Sequence, residues 1–321
     1  MAHDFCCYFD HRYFDKGVAM YRSLLAHCQD ARLWVLCLSD ECHRALSQVA
    51  LPALTPVRLA DFEAGNAALA AAKADRSLIE YYFTCTASLL DWVLQHEASV
   101  EVLTYLDSDL YFFSDPAPIF DAFEGHSTLI IGHRFPPALA DRGIYGKYNV
   151  GWLSFRRDAN GLACLAWWRD RCLEWCYDRL EEDRFADQKY LDRFEELFDG
   201  VLVLDHPGAN LAPWNLAGHR VEAVGEQVLV DGAPLIFYHF HQFRRLAPFL
   251  WDTNNRANGV KRRPALDNLL YRPYIRALAQ AHALGDLAGL QREGQLRRRY
   301  FASGGLRKIA RSLIGGDAVI G

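Results

Sequence analysis

The chain has 321 residues, of which 51% are hydrophobic, 13% aromatic and 23% charged. Such a chain can bury a large core, which excludes disorder, collagen and coiled coil. Its 35 basic and 40 acidic side chains give a formal charge of −5, so we expect no nucleic-acid partner. The sequence offers no apolar stretch long enough to span a bilayer and no basic, apolar leader, so we expect a cytoplasmic protein.

The first forty residues predict a strand, a helix and a second strand. The runs at 4–9 and 32–38 are short, mostly apolar and rich in aromatic or β-branched residues, as buried parallel strands are. Between them, apolar residues recur at spacings of three and four, which gives a helix one apolar stripe. Such a unit closes right-handed into a parallel sheet, so the opening predicts an α/β fold.

The same alternation continues along the chain. Helices are predicted at about 41–50 and 78–95, strands at 101–106, 127–132 and 150–156, and a long helix at about 161–182. A hairpin is predicted around Asp231-Gly232, followed by an apolar strand that ends near 239. Beyond 265 the chain is predicted to be helical and then basic. No repeat or Gly/Ser-rich linker divides it, so we predict one domain.

A glycine-rich phosphate loop is missing from the sequence. Neither G-x-G-x-x-G nor G-x-x-x-x-G-K-[ST] occurs, which disfavours a dehydrogenase or a P-loop enzyme. The phosphates of a nucleotide would then be neutralised by a metal ion and side chains. Asp107-Ser108-Asp109 follows an apolar strand directly. Two carboxylates in a tight turn beside apolar chain favour a bound cation, so we predict a divalent metal site, with a solvated turn as the alternative.

At this point the chain resembles a known family. The D-x-D segment is similar to that of GT-A fold nucleotide-sugar glycosyltransferases, and further motifs resemble those of family 8-type enzymes in the same order. These stretches are the first strand and helix at 6–27, the D-x-D region EVLTYLDSDLYFFSDPA at 101–117, the N-x-G strand YNVGWLSF at 148–155, the A-D-Q motif FADQKYLD at 185–192, and the H-F segment FYHFHQFRR at 237–245. The resemblance implies a Rossmann-like fold with a central, mostly parallel sheet flanked by helices.

Residue chemistry indicates a third metal ligand and a phosphate contact. His239 ends the apolar strand, and an imidazole beside two carboxylates suits Mn²⁺. Residues 239 and 241 share one face of a strand, so His241 is the competing ligand. We prefer His239, and an ordinary core or surface histidine is the alternative. Arg244 and Arg245 come next, and a guanidinium suits a departing diphosphate. The resemblance favours Arg245, and a solvated basic pair is the alternative.

Other candidate residues surround the expected ligand. Tyr8 and Asp10 end the first strand, where open α/β sheets bind ligands, so we predict that they contact the base; simple core packing is the alternative for Tyr8. The resemblance implies catalytic roles for Asp187 and Gln188 and a donor-sugar contact for Asn149. Asp187-Gln188 is predicted to begin an amphipathic helix. Aspartate is common in a first helical turn, so a favourable charge on the helix dipole or a cap is the alternative for Asp187.

The resemblance implies a function as well as a fold. It predicts a metal-dependent glycosyltransferase of hexosyltransferase type, with Mn²⁺ or Mg²⁺ held by Asp107, Asp109 and His239. The donor is a nucleoside-diphosphate sugar, with a UDP-sugar favoured, and the acceptor is a glycan or a lipid-linked molecule of bacterial surface polysaccharide synthesis. Retention of configuration is expected, although Asp187 could serve as the base of an inverting reaction. A metal-dependent phosphotransferase or phosphatase and a non-catalytic sugar-nucleotide-binding protein are the alternatives.

The predicted domain boundaries follow the same reasoning. We expect one catalytic domain at 1–265, with a nucleotide-binding half at 1–115 and an acceptor-binding half at 116–265, and then a helical, basic tail at 266–321. Within that tail, 296–311 holds six basic and no acidic residues. Such a segment predicts peripheral contact with the inner face of a membrane, with a flexible basic tail as the alternative.

Overall fold

A computed structural model describes residues 3–261, 263–290 and 318–320. Its helices are Phe14–His27 (α1), Asp40–Val49 (α2), Leu59–Glu63 (α3), Ala67–Asp75 (α4), Leu78–His96 (α5), Ala117–Phe123 (α6), Ala159–Glu174 (α7), Phe194–Leu197 (α8), Pro264–Leu266 (α9) and Arg272–Leu287 (α10). Shorter 3₁₀ segments span Pro137–Tyr145, Lys189–Arg193, Leu216–Gly218 and Arg256–Asn258, and a π-helical segment spans Asp267–Tyr271.

In the described parts of the chain, the strands form one large sheet and three small ones. They are His3–Phe9 (β1), Ala31–Cys37 (β2), Leu54–Arg58 (β3), Val102–Leu106 (β4), Leu110–Phe112 (β5), Thr128–Gly132 (β6), Tyr148–Arg156 (β7), Val201–Leu204 (β8), Val221–Val224 (β9), Gln227–Val230 (β10), Ala233–Pro234 (β11), Phe237–His239 (β12), Arg244–Ala247 (β13), Leu250–Asp252 (β14) and Ala318–Ile320 (β15).

The main sheet has seven strands in the order β3-β2-β1-β4-β7-β6-β8. Neighbouring strands are parallel except where β7 pairs antiparallel with β4 and β6. Helices cover both faces of the sheet. Its strands carry apolar side chains on both faces, and each face needs a layer of helices to bury them. The predicted α/β fold, with a central and mostly parallel sheet flanked by helices, is confirmed.

Two helical layers bury the two faces of this sheet. On one face, α1 and α10 pack together over Phe5 and Cys7 of β1. On the other, α5 and α7 pack together over Cys6. Successive β1 residues thus enter opposite layers, as a strand requires. All nine cysteines are free and buried.

Small antiparallel sheets extend this framework. β5 pairs with β12, so the strand that follows Asp109 lies beside the strand that ends at His239. The predicted hairpin around Asp231-Gly232 is confirmed by the antiparallel pairing of β10 and β11. β13 and β14 form a further hairpin, and β15 adds to its edge.

Two local predictions from the sequence are wrong. The helix expected at 161–182 ends at Glu174, because Trp175 is extended and its carbonyl accepts a hydrogen bond of 2.8 Å from the Tyr190 hydroxyl. The helix expected to begin at Asp187 is instead a 3₁₀ segment that starts at Lys189. Both departures arise where tertiary contacts override a helical pattern.

Some predictions concern parts of the chain that the structure does not describe. The basic stretch at 296–311 lies outside the described residues, and the division of the chain at 115 and 265 stays a prediction. Within the described ranges, no helix combines the length and hydrophobicity needed to cross a membrane.

Candidate functional site

A cleft of about 2240 Å³ opens at the carboxyl ends of β1 and β4. Open α/β sheets bind their ligands at this edge. The cleft is lined by every site residue that the sequence predicts, namely Tyr8, Asp10, Asp107, Asp109, Asn149, Asp187, Gln188, His239 and Arg245, and by His241.

Asp107, Asp109 and His239 converge in this cleft. One ligand atom from each lies within 4.8 Å of the others. The Nε2 atom of His239 is 3.0 Å from Asp109 Oδ1 and 3.6 Å from Asp107 Oδ2. A neutral imidazole and two carboxylates form a donor set that suits Mn²⁺, and hard carboxylate oxygens also suit Mg²⁺.

Strand pairing brings these three side chains together. In the β5–β12 pair, His239 lies opposite Leu110, the residue that follows Asp109. The Phe240 N–H also donates to the Asp109 carbonyl at 2.9 Å. The local sequence places the two aspartates, whereas the histidine arrives through a contact distant in the chain.

Asn149 and Gly151 of β7 orient the imidazole. The Gly151 N–H donates to Asn149 Oδ1 at 3.1 Å, so that atom is the amide oxygen. It lies 3.2 Å from His239 Nδ1, which must therefore carry the proton and donate. This arrangement directs Nε2 at the two aspartates, so its lone pair can bind a metal ion once the ring has given up the Nε2 proton.

The charges in the cluster are strongly coupled. Burial raises the pKa of Asp107. Burial also opposes the charge of Asp109, but His239 and Lys16 outweigh it and hold the pKa of that carboxyl below its ordinary value. Burial lowers the pKa of His239, but the Asp109 carboxylate raises it by more, so the pKa lies above its ordinary value. The Nζ atom of Lys16 lies 3.6 Å from Asp109 Oδ2, so two cations already balance the acidic pair.

Histidine 241 lies nearby but outside this cluster. Its ring centroid is 5.9 Å from that of His239, and both rings pack on Trp214. Burial and the His239 charge lower the pKa of His241 to about 4. The described residues group His239, and not His241, with the two aspartates.

Asp187 is a buried acid on the same cleft. Its carboxyl accepts a hydrogen bond of 2.8 Å from the Thr86 hydroxyl, and its carbonyl accepts one of 2.8 Å from the Trp168 indole. Burial, and to a lesser degree the charge of Asp107, raises the pKa of Asp187 to about 7. A carboxyl with this pKa can take up or release a proton near neutral pH.

The remaining predicted residues have protein partners of their own. The Tyr8 hydroxyl lies 3.4 Å from Thr86 Oγ1, and Asp10 accepts from the N–H groups of Arg12 and Tyr13 at 2.9 and 3.2 Å. The Gln188 amide donates to the Tyr145 carbonyl at 3.1 Å.

The two arginines after β12 are held differently. Arg245 donates to the Pro248 carbonyl at 2.6 Å and packs over the Trp251 ring. Arg244 pairs with Asp252 at 2.6 Å. Arg245 therefore keeps a neutral acceptor, whereas the charge of Arg244 is already matched by a carboxylate.

Comparison with known proteins shows which family the chain belongs to. No family model matches the chain. The uncharacterized protein YfnF of Bacillus subtilis is 38% identical over 237 residues, which cover 71% of this chain and 78% of YfnF. The uncharacterized protein YfnD of the same organism is 34% identical over 233 residues, which cover 71% of this chain and 74% of YfnD. The chain belongs to the YfnF/YfnD family.

Similar solved structures include two glycosyltransferases. A galactosyltransferase, LgtC, in complex with donor and acceptor sugar analogs, is 14% identical at a TM-score of 0.49, with 92% of this chain and 99% of that chain covered. Mouse xyloside xylosyltransferase 1 is 14% identical at a TM-score of 0.47, with 75% and 98% covered. Overlaps of this extent do not identify an activity for the YfnF/YfnD-family protein.

Sequence reasoning missed two polar residues of the site. Lys16 reaches Asp109 from the first turn of α1, and Thr86 reaches Asp187 from the middle of α5. Neither belongs to a motif, and lysine or threonine on a helix is ordinary in any sequence. Only the packing of the two helices against the sheet reveals their contacts.

Proposed function

We propose that this YfnF/YfnD-family protein is a metal-dependent glycosyltransferase that moves a sugar from a nucleoside-diphosphate sugar to an acceptor hydroxyl. The convergence of Asp107, Asp109 and His239 in one cleft carries the proposal. Because the sequence has no glycine-rich phosphate loop, a diphosphate bound at this edge needs a cation for neutralisation.

The donor set supports Mn²⁺ or Mg²⁺ among these three residues. The bound cation would supply positive charge for the leaving diphosphate. Lys16 and Arg245 line the same cleft, so their charges would bind the diphosphate oxygens. Tyr8 and Asp10 would hold the base and ribose of the donor, which is proposed to be a UDP-sugar. We propose that residues 1–115 form the nucleotide-binding half of the protein.

Sugar and acceptor are assigned to the second half, at 116–265. Asp187 and Gln188 would face the sugar or the acceptor hydroxyl, and Asn149, which also holds the His239 ring, would contact the donor sugar. In a retaining transfer the departing diphosphate oxygen would take up the proton that the acceptor hydroxyl loses as its oxygen bonds to the anomeric carbon, and Asp187, whose pKa is about 7, would be the base of the inverting alternative. We propose a family 8-type hexosyl transfer with retention, for a glycan or lipid-linked acceptor of surface polysaccharide synthesis.

Release of nucleoside diphosphate tests this proposal. The protein is incubated with UDP-, GDP- and TDP-sugars and Mn²⁺, with and without EDTA. We expect release from one donor class that EDTA abolishes and that Asp109→Asn lowers by about 100-fold or more, because losing a direct ligand should cost at least as much as losing a residue that supports a ligand, which costs about 10- to 100-fold. The matched control is Asp141→Asn, since Asp141 is exposed outside the cluster.

Other outcomes would overturn the proposal. Phosphate release from monoesters, without turnover of any donor, would indicate the phosphotransferase or phosphatase alternative. Tight binding of a sugar nucleotide without turnover, in the presence of Mn²⁺ and a range of glycan acceptors, would indicate a binding protein.

A further inference from the structure

A second group of metal-ligand side chains lies at the other end of β1. His3, Cys28 and Asp30 each offer a ligand atom, and these atoms lie within 4.8 Å of one another. His3 begins β1, whereas Tyr8 lines the cleft near its carboxyl end. Five residues of strand separate the two positions by roughly 17 Å, at about 3.3 Å per residue. The second group is therefore distinct from the cleft.

Backbone structure fixes all three positions. In the parallel pairing of β1 with β2, His3 lies opposite Ala31, the residue after Asp30. Cys28 caps the end of α1, and its N–H donates to the Leu24 carbonyl at 2.8 Å. The Ala31 N–H then donates to the Cys28 carbonyl at 3.2 Å, which closes the turn. The three ligand atoms are close together because His3 at the start of β1, Cys28 at the end of α1 and Asp30 in the turn before β2 are neighbours.

The side chains are also oriented. The His3 ring stacks on Phe120 with centroids 4.2 Å apart. Cys28 is buried, and its thiol lies 3.4 Å from Asp30 Oδ1. Asp30 is exposed, which leaves a path for an ion from solvent. The carbonyl end of α1 adds negative potential at this point, which favours a cation.

One thiolate, one imidazole and one carboxylate form a donor set typical of zinc. Sulfur disfavours Mg²⁺ and Ca²⁺, which prefer oxygen ligands, whereas Zn²⁺ accepts all three donors in tetrahedral geometry. We propose that His3, Cys28 and Asp30 bind Zn²⁺, with water as a fourth ligand. On binding, the sulfur–metal bond replaces the S–H bond, and the proton passes to solvent. The ion would link the starts of β1 and β2 to the end of α1.

Cobalt substitution tests the site without any use of activity. Co²⁺ bound to a thiolate absorbs in the near ultraviolet by sulfur-to-metal charge transfer, and the Asp107, Asp109 and His239 cluster has no sulfur. We expect the metal-free protein to gain this absorption with one equivalent of Co²⁺ and to lose it when Zn²⁺ is added. The Asp107→Asn/Asp109→Asn double variant should keep it, so failure of the proposed catalytic site leaves this result unchanged.

Single variants identify the ligands. Cys28→Ser should abolish the charge-transfer band. Asp30→Asn changes an exposed side chain and should weaken Co²⁺ binding by at least about ten-fold, whereas Asp61→Asn, at an exposed aspartate of α3, should not. A wild-type protein that gives no band would overturn the proposal. So would a band that persists in Cys28→Ser, or one whose midpoint is unchanged in Asp30→Asn.

Discussion

The imidazole of His239 packs against Gly151 so closely that a Cβ atom there would stand 2.9 Å from its Nδ1 atom. The same Cβ would stand 2.6 Å from Asn149 Oδ1, the atom that accepts the imidazole proton. The imidazole can therefore occupy this position only because residue 151, in the N-x-G strand, is a glycine without a side chain. Its backbone carbonyl also accepts from the Asp107 N–H at 3.0 Å, so one residue supports two members of the cluster.

Gly151→Ala is expected to disturb the cluster with little effect on the fold. The added methyl group must displace the imidazole, so Mn²⁺ affinity, measured by calorimetry, should fall by about ten-fold or more. Gly143→Ala is the matched control, because nothing lies within 4 Å of a Cβ there. Equal affinity in Gly151→Ala and the wild type, with unchanged circular dichroism, would mean that His239 is not a ligand.

Asp187 should make the protein less stable as pH rises. Its pKa is raised from 3.8 to about 7 by burial, so the folded state binds more protons than the unfolded state between these values. The free energy of unfolding contributed by this group therefore falls as pH increases through that window. At about 1.4 kcal/mol per pKa unit, the contribution drops by about 3 kcal/mol between pH 5 and pH 8.

Asp187→Asn removes this titration while keeping an acceptor for the Thr86 hydroxyl. Denaturant unfolding in EDTA should show the variant gaining about 3 kcal/mol relative to the wild type between pH 5 and pH 8. Asp141→Asn, at an exposed position, should show no such gain. A constant difference between Asp187→Asn and wild type across this range would show that the carboxyl is already ionised at pH 5.

Lys16 is expected to compete with the metal ion for Asp109. Its ammonium lies 3.6 Å from the carboxylate, and like charges in one site repel. Lys16→Met should therefore tighten Mn²⁺ binding several-fold and weaken the binding of UDP, since a charge for the diphosphate is lost. Lys73→Met removes a lysine that pairs with Glu63 instead and is the control. Weaker Mn²⁺ binding in Lys16→Met would contradict this account.

The apolar runs of the sequence predicted those site residues that lie at or next to the end of a strand. Asp107 and Asp109 follow an apolar strand and occupy the turn expected of them, and Tyr8 lies one residue before the end of β1, which is mostly apolar. The choice between His239 and His241 could not be made from alternation alone. It depends on the pairing of β12 with β5, which begins directly after Asp109, and short-range periodicity carries no information on such pairing.

Elements that tertiary contacts shape were missed for similar reasons. Pro56 lies within β3 and is a poor strand signal, yet β3 is an edge strand of the sheet, where proline is tolerated. The final strand, β15, is three residues long and exists through its pairing with β14. Neither element has the apolar length on which a prediction from sequence depends.

The central claim is that one cation lies between Asp107, Asp109 and His239. Crystals grown with Mn²⁺ and UDP, measured at the manganese absorption edge, test it most directly. We predict one anomalous peak within bonding distance of both carboxylates, of His239 Nε2 and of the diphosphate. Density for UDP in the cleft without a peak at these three residues would contradict the account.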